Sequence, residues 1–197
     1  MLLPMERQRA SRGRTRSEVS RQAVLAAAIQ IIGIDGYAAL SIERIARESG
    51  VGKQTVYRWW PTKADVVMEA LLHKVEVHIP IPDTGALESD LRQFLTTSLQ
   101  LGRMPQVAEL LRALAAEAQL NPAFAERFRA TFVDHRRAAL TTILTRDDGR
   151  RPAPVRTSTL VDVVFGVIWY RLLILPTEFD DDLVTELITL LTQAGAR

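Results

Sequence analysis

Lys53, Gln54, Thr55, Tyr57, Arg58 and Trp59 fall within seven consecutive residues, with Val56 as the one aliphatic side chain among them. They offer hydrogen-bond donors, two cations and two flat rings. Their chemistry is non-covalent. Ammonium, guanidinium, hydroxyl and amide groups hold phosphate oxygens and read the edges of bases. A helix of about eight residues spans ~12 Å, which suits end-on insertion into a major groove of similar width. The same face could instead bind another protein, and salt-dependent affinity for DNA separates the two readings.

The elements that must present this face lie in SIERIARESGVGKQTVYRWWPTKADV, residues 41–66. Ala46, Gly50 and Val56 stand in the spacing A-x3-G-x5-V. Two helices meeting steeply need a small side chain where they touch, and Ala46 supplies it. The short turn between them needs a residue that tolerates positive φ, and Gly50 does. The second helix needs an apolar anchor, and Val56 points back toward Ile42 and Ile45. This is the helix-turn-helix pattern. Any tight helical corner can show the same spacing, so the donor-rich face is what favours nucleic acid.

Ser41 is a good N-cap, and Glu43 sits in the first turn, where the helix dipole favours an acid. Glu43 has a second reading, as an acceptor for a cytosine amino group. Thr62 and Asp65 form a box-like Thr-x-x-Asp at the start of the next helix. Lys63 opposes that helix's dipole, which makes sense where a phosphate sits at the helix N-terminus. The alternative is an ordinary exposed lysine.

The run GVGKQTVYRWWPTKADVV, with GYAALSIERIA upstream, resembles the TetR family of bacterial transcriptional regulators over residues 18–70. The resemblance implies that Lys53, Gln54 and Thr55 read bases or nearby phosphates, and that Tyr57 and Lys63 contact phosphate. Trp59 stands where that family often has a histidine or another aromatic residue. The resemblance also implies a homodimer on a pseudo-palindromic double-stranded DNA operator, released by a small-molecule effector.

Charge is unevenly placed. Residues 1–63 hold eleven Lys and Arg against five acids, whereas the rest of the chain holds 14 against 18. A basic first third suits a polyanion partner, or is simply a solvated basic tail. Arg12, Arg14 and Arg16 alternate with small residues in a stretch expected to form a flexible arm, 1–16. Such an arm reaches into a minor groove or adds only nonspecific attraction.

Helical periodicity runs through the chain, and no alternating strand pattern appears. The expected fold is all-α, with about nine helices. Residues 17–63 form a three-helix DNA-binding domain, and 64–197 a helical sensor and dimerisation domain. Helices are expected at about 17–34, 41–49, 52–59, 62–78, 86–101, 105–120, 122–145, 157–175 and 180–194. The helix at 157–175 is apolar nearly all round, so it must be buried on two sides. The last two helices are therefore expected to pair with those of a second copy, or else to lie wholly inside one chain.

An effector cavity is implied by the resemblance. Phe94, Phe128, Phe132, Phe165 and Trp169 are its candidate walls, with Arg112 or His135 as a polar contact. Phe124, Phe128 and Phe132, four apart, equally suit a plain core.

The sequence gives no support to an enzyme. It has no cysteine, no Gly-rich phosphate loop and no nucleophile elbow. His73 and His78 are five apart, off the spacing for two ligands on one helix face, so no metal site or cofactor is expected. MLLPMERQRA lacks the apolar core of a signal peptide. The apolar run Val163–Tyr170 is far shorter than the ~20 residues of a membrane helix. A cytoplasmic protein without a membrane partner is expected.

Overall fold

Caps and breakers set most helix ends in this chain. The computed structural model describes residues 5–75, 81–146, 155–175 and 178–194, with side chains described from 17 to 193. The helices are α1 (Met5–Asp35), α2 (Ile42–Ser49), α3 (Lys53–Trp59), α4 (Lys63–Lys74), α5 (Leu87–Arg103), α6 (Pro105–Leu120), α7 (Pro122–Phe128), α8 (Asp134–Arg146), α9 (Thr157–Leu173) and α10 (Asp181–Ala194). A 3-10 turn at Tyr37–Ala39 precedes α2, and a π-helical segment, Arg129–Val133, joins α7 to α8. Counting α7 to α8 as one run, nine helices and no strand occur among the described residues.

The caps are specific. Ser41 accepts a hydrogen bond from the Arg44 amide at 3.1 Å, and Asn121 from the Phe124 amide at 3.1 Å. Thr62 and Asp65 exchange bonds: the Asp65 carboxylate accepts from the Thr62 amide at 3.0 Å, and the Thr62 hydroxyl from the Asp65 amide at 3.2 Å. Pro105 and Pro122 open α6 and α7, where a missing N–H costs nothing.

The chain divides into two compact units after His73. In the first, α1 packs on α2 and α2 on α3. Val24, Leu25, Ala28, Ile31, Ile32, Ile45, Val56, Val66, Val67 and Leu71 are among its buried apolar residues. Most of α4 belongs to this unit, because Arg21 and Trp60 both bond to Glu69 on it. In the second unit α5 is the hub, touching α6, α8, α9 and α10. Its buried residues Leu91, Phe94, Leu95, Ser98 and Leu99 recur at the three-and-four spacing of a helix face.

Three elements differ from expectation. α1 begins at Met5 rather than Ser17, just after Pro4, and Glu6, Arg7, Gln8, Arg9 and Ala10 are helix formers. The backbone of Arg12, Arg14 and Arg16 is therefore helical, and their side chains lie outside the described residues. α4 ends at Lys74, before a bend at Val75, and residues 76–80, His78 among them, lie outside the described residues. The helix expected at 122–145 carries the π segment, which periodicity alone does not signal.

Candidate nucleic-acid interface

Gly50 closes α2 at φ 68°, a left-handed conformation that costs an L side chain about 1–2 kcal/mol. The turn it makes sets α3 on α2. Val56 is fully buried, and Ile42 and Ile45 are buried with it. With the anchor inward, Lys53, Gln54, Tyr57 and Arg58 are exposed, whereas Thr55 and Trp59 are half-buried. Tyr57 keeps 44% of its surface in water, high for an aromatic ring.

Lys53 is not idle. Its ammonium lies 2.5 Å from a Glu43 carboxylate oxygen and 5.6 Å from the centre of the Tyr57 ring. The Lys53 hydrogen bond holds the Glu43 carboxyl below its usual range. The same bond holds the Lys53 ammonium above its own. Both groups are exposed, so the pair is screened and weak, and it positions more than it stabilises. Glu43 thus has a further role beyond the two read from sequence.

Lys63 enters from the first turn of α4. It donates to the Leu40 carbonyl at 3.1 Å and the Tyr37 carbonyl at 3.3 Å, and lies 4.1 Å from the centre of the Tyr37 ring. The ammonium staples α4 to the 3-10 turn ahead of α2. An ammonium has three N–H donors, so one remains for another acceptor.

The C-terminal end of α3 is held by residues that motif reasoning passed over. Trp60 is buried, and its indole N–H donates to Glu69 at 2.8 Å. Arg21 donates to both Glu69 oxygens at 2.6 and 2.7 Å. Its guanidinium sits 4.9 Å from the centre of the Trp60 ring and 5.8 Å from that of Trp59, and the two indoles meet edge to face at 5.5 Å. One cation, one carboxylate and two indoles thus fix where α3 ends. The paired tryptophans were the visible signal. Their partner Arg21 lies 48 residues from Glu69 and had none.

In the second unit, the candidate effector residues are only partly together. Phe132, Phe165 and Trp169 line one cavity of about 30 Å³, with Ser98, Arg136 and Phe179. Phe94 is fully buried in the core and does not line it, nor does Phe128, which packs on Phe124, Phe132 and Trp169. Arg112 lines a separate open depression, where it pairs with Glu109 at 2.5 Å and donates to the Leu172 carbonyl at 2.9 Å. His135 is exposed. The polar side chains at the cavity are Ser98 and Arg136. The signal for Arg136 was present: Phe128, Phe132, Arg136, Leu140 and Ile143 form one stripe, with a cation in the middle.

Among the described residues no group of three or more His, Cys, Asp or Glu could hold a metal. No described helix is long and apolar enough to cross a membrane.

Comparison with known proteins covers both units. A family model described as "Bacterial regulatory proteins, tetR family" matches residues 24–70. A second, "Tetracyclin repressor-like, C-terminal domain", matches residues 81–191. The chain is 32% identical to an uncharacterised helix-turn-helix transcriptional regulator, YdeS of Bacillus subtilis, over 90% of each chain. It is 30% identical to the DNA-binding transcriptional repressor TetR of Mycobacteroides abscessus, over 95% of this chain and 99% of that one. Among solved structures it is similar to a TetR family transcription regulator, SCO0332, at 33% identity and a TM-score of 0.67, covering 90% of this chain and 99% of that one.

Proposed function

The chain belongs to the TetR family of helix-turn-helix transcriptional regulators, and we propose that it is a cytoplasmic repressor, dimeric on a pseudo-palindromic operator and released by a small molecule bound in its second unit. The observation that carries the reading is the exposed row Lys53, Gln54, Tyr57 and Arg58 on α3, backed by a buried Val56 and held at its far end by Trp60. In this reading Gln54 and Thr55 read base edges, and Lys53, Tyr57, Arg58, Trp59 and Lys63 meet backbone oxygens. Arg12, Arg14 and Arg16 add minor-groove or nonspecific attraction. The protein binds and releases, without a reaction of its own.

Repression follows the named activity of the Mycobacteroides abscessus relative. Release follows from linkage: an effector that prefers a conformer with wrongly spaced recognition helices lowers DNA affinity by the same factor that DNA lowers effector affinity. The chain passes from the first unit to the second through α4, which makes α4 the proposed carrier of that coupling.

The test is selection of genomic fragments by the purified protein at physiological salt, read by sequencing. One enriched pseudo-palindrome, held about 10³-fold or more over random DNA, is the expected outcome. Uniform recovery would make the protein a nonspecific coater. No recovery would turn the α3 face into a protein-binding surface.

A further inference from the structure

Arg136 is buried, with 5% of its surface exposed, and no carboxylate answers it among the described residues. Its Nη1 has no hydrogen-bond partner, and its Nη2 lies 3.5 Å from the Ser98 hydroxyl, at the limit of a bond. The centre of its guanidinium lies 5.3 Å from the centre of the Phe132 ring. Burial alone lowers its pKa to about 10, so it stays charged at neutral pH. A buried cation without a partner is costly, and the remaining arginines of this unit for which pairs are described sit with acids or carbonyls: Arg92 with Glu88, Arg103 with Asp181, Arg112 with Glu109, Arg129 with Glu126, Arg137 with Asp162, Arg146 with Asp83 and Arg171 with the Glu178 carbonyl.

The guanidinium is also placed where a ligand would need it. It lines the cavity whose other walls include the rings of Phe132, Phe165, Trp169 and Phe179. The π segment Arg129–Val133 ends one turn before it. Such segments shift the register of a helix and recur at functional sites; here Phe132 and Val133 from it and Arg136 beyond it line the same cavity.

The empty space is about 30 Å³, enough for a water or two. A larger guest enters only if a wall moves. Phe179 lines both this cavity and the open depression with Arg103, Arg112 and Arg171, so an outward turn of its ring would join the two.

We propose that this cavity is the effector site, and that its ligand is an organic monocarboxylate with an apolar body, its carboxylate on Arg136 and its body among Phe132, Phe165 and Trp169. The proposal rests on the reading of the chain as a ligand-released regulator. A carboxylate accepts two parallel N–H bonds from one guanidinium, which would satisfy Nη1 and neutralise the buried charge at once. The surrounding rings would bury the apolar body. A neutral ligand would leave the charge unanswered.

The probes are 4-phenylbutyrate and 4-phenylbutan-1-ol, which share a skeleton and differ in the charged group. Binding to the full chain is followed by calorimetry. The acid is expected to bind at least about tenfold tighter than the alcohol. Arg136→Met keeps the length of the side chain and removes the unpaired charge, so it should fold. It should lose the acid's advantage while binding the alcohol as before, and Arg136→Lys should fall between. Equal affinity for the two probes, no binding of the acid at its solubility limit, or unchanged acid binding by Arg136→Met would each overturn the proposal. The same preparations are tested for retention of genomic DNA fragments. If a specific operator is retained and the acid fails, the ligand class is wrong and the regulator stands. If no DNA is retained, the regulator reading itself falls.

Discussion

Lys63 is asked to do two things with one ammonium. It holds the Tyr37 and Leu40 carbonyls, and the proposed function gives its third N–H to a DNA phosphate. Lys63→Ala should therefore move two measurements. Urea unfolding of the protein should show a loss of about 1–2 kcal/mol, the worth of charged hydrogen bonds to half-buried carbonyls. Operator affinity at physiological salt should fall across all sequences, with a shallower salt dependence. A stability loss with unchanged affinity would leave only the staple. Tyr57→Phe removes a hydroxyl from an exposed ring, so stability should hold while affinity drops uniformly. Gln54→Ala should instead relax the preference at one base pair, by about 1–3 kcal/mol of discrimination. Glu43→Gln removes the negative charge beside Lys53, and the expected result is stronger nonspecific binding with a steeper salt slope. The caps were legible residue by residue, because Ser41, Gly50, Thr62 and Asp65 act on neighbours within three or four positions. The staple was not, because Lys63 and Tyr37 are 26 residues apart.

At the scale of elements, helix ends with a chemical stop were readable and those without one were not. α6 begins at Pro105 and α7 at Pro122, both as expected. The π segment has no local mark, so it emerged only from the folded chain, whereas Pro4 ahead of α1 was a mark passed over. The cavity shows the same division. Aromatic residues at helical spacing pointed to an apolar centre, but their types could not tell lining from filling, and Phe94 and Phe128 fill. Packing between distant elements made the difference, and two substitutions test it. Trp60→Phe keeps a ring and loses the indole bond to Glu69. The expected cost is about 1–2 kcal/mol in thermal or urea unfolding, with weaker DNA binding because the end of α3 loosens. Gly102 lies so close under the Phe179 ring that an added Cβ would stand 2.5 Å from it. Gly102→Ala should therefore push the ring aside at about 1–3 kcal/mol, the usual range for overpacking. A cost near zero would show that the ring moves aside without strain.

At the scale of the whole molecule, α9 carries an apolar face that the described residues leave open. Val161, Val164, Phe165 and Leu172 face inward and are buried. Val163, Gly166, Val167, Tyr170 and Leu175 line a mostly apolar groove on the other side together with Arg171, and Tyr170 and Ile174 keep 54% and 68% of their surface exposed. Within the described residues nothing covers that outer face, and Leu190 on α10 is exposed in the same way. A second copy is the occupant that the proposed operator requires, since two recognition helices must reach half-sites about 34–36 Å apart, one turn of DNA. In a two-fold interface every residue acts twice, so one introduced charge is buried against its own symmetry mate's neighbourhood. Val167→Glu should then turn the dimer into a monomer in sedimentation at micromolar concentration, while circular dichroism shows the helices intact. Each monomer keeps its α3 face, so weak, salt-sensitive DNA binding should survive and the preference for a two-fold operator should vanish. If Val167→Glu stays dimeric, the groove on α9 is not the interface. If it becomes monomeric and still selects the full pseudo-palindrome as tightly, dimerisation is not what reads the second half-site.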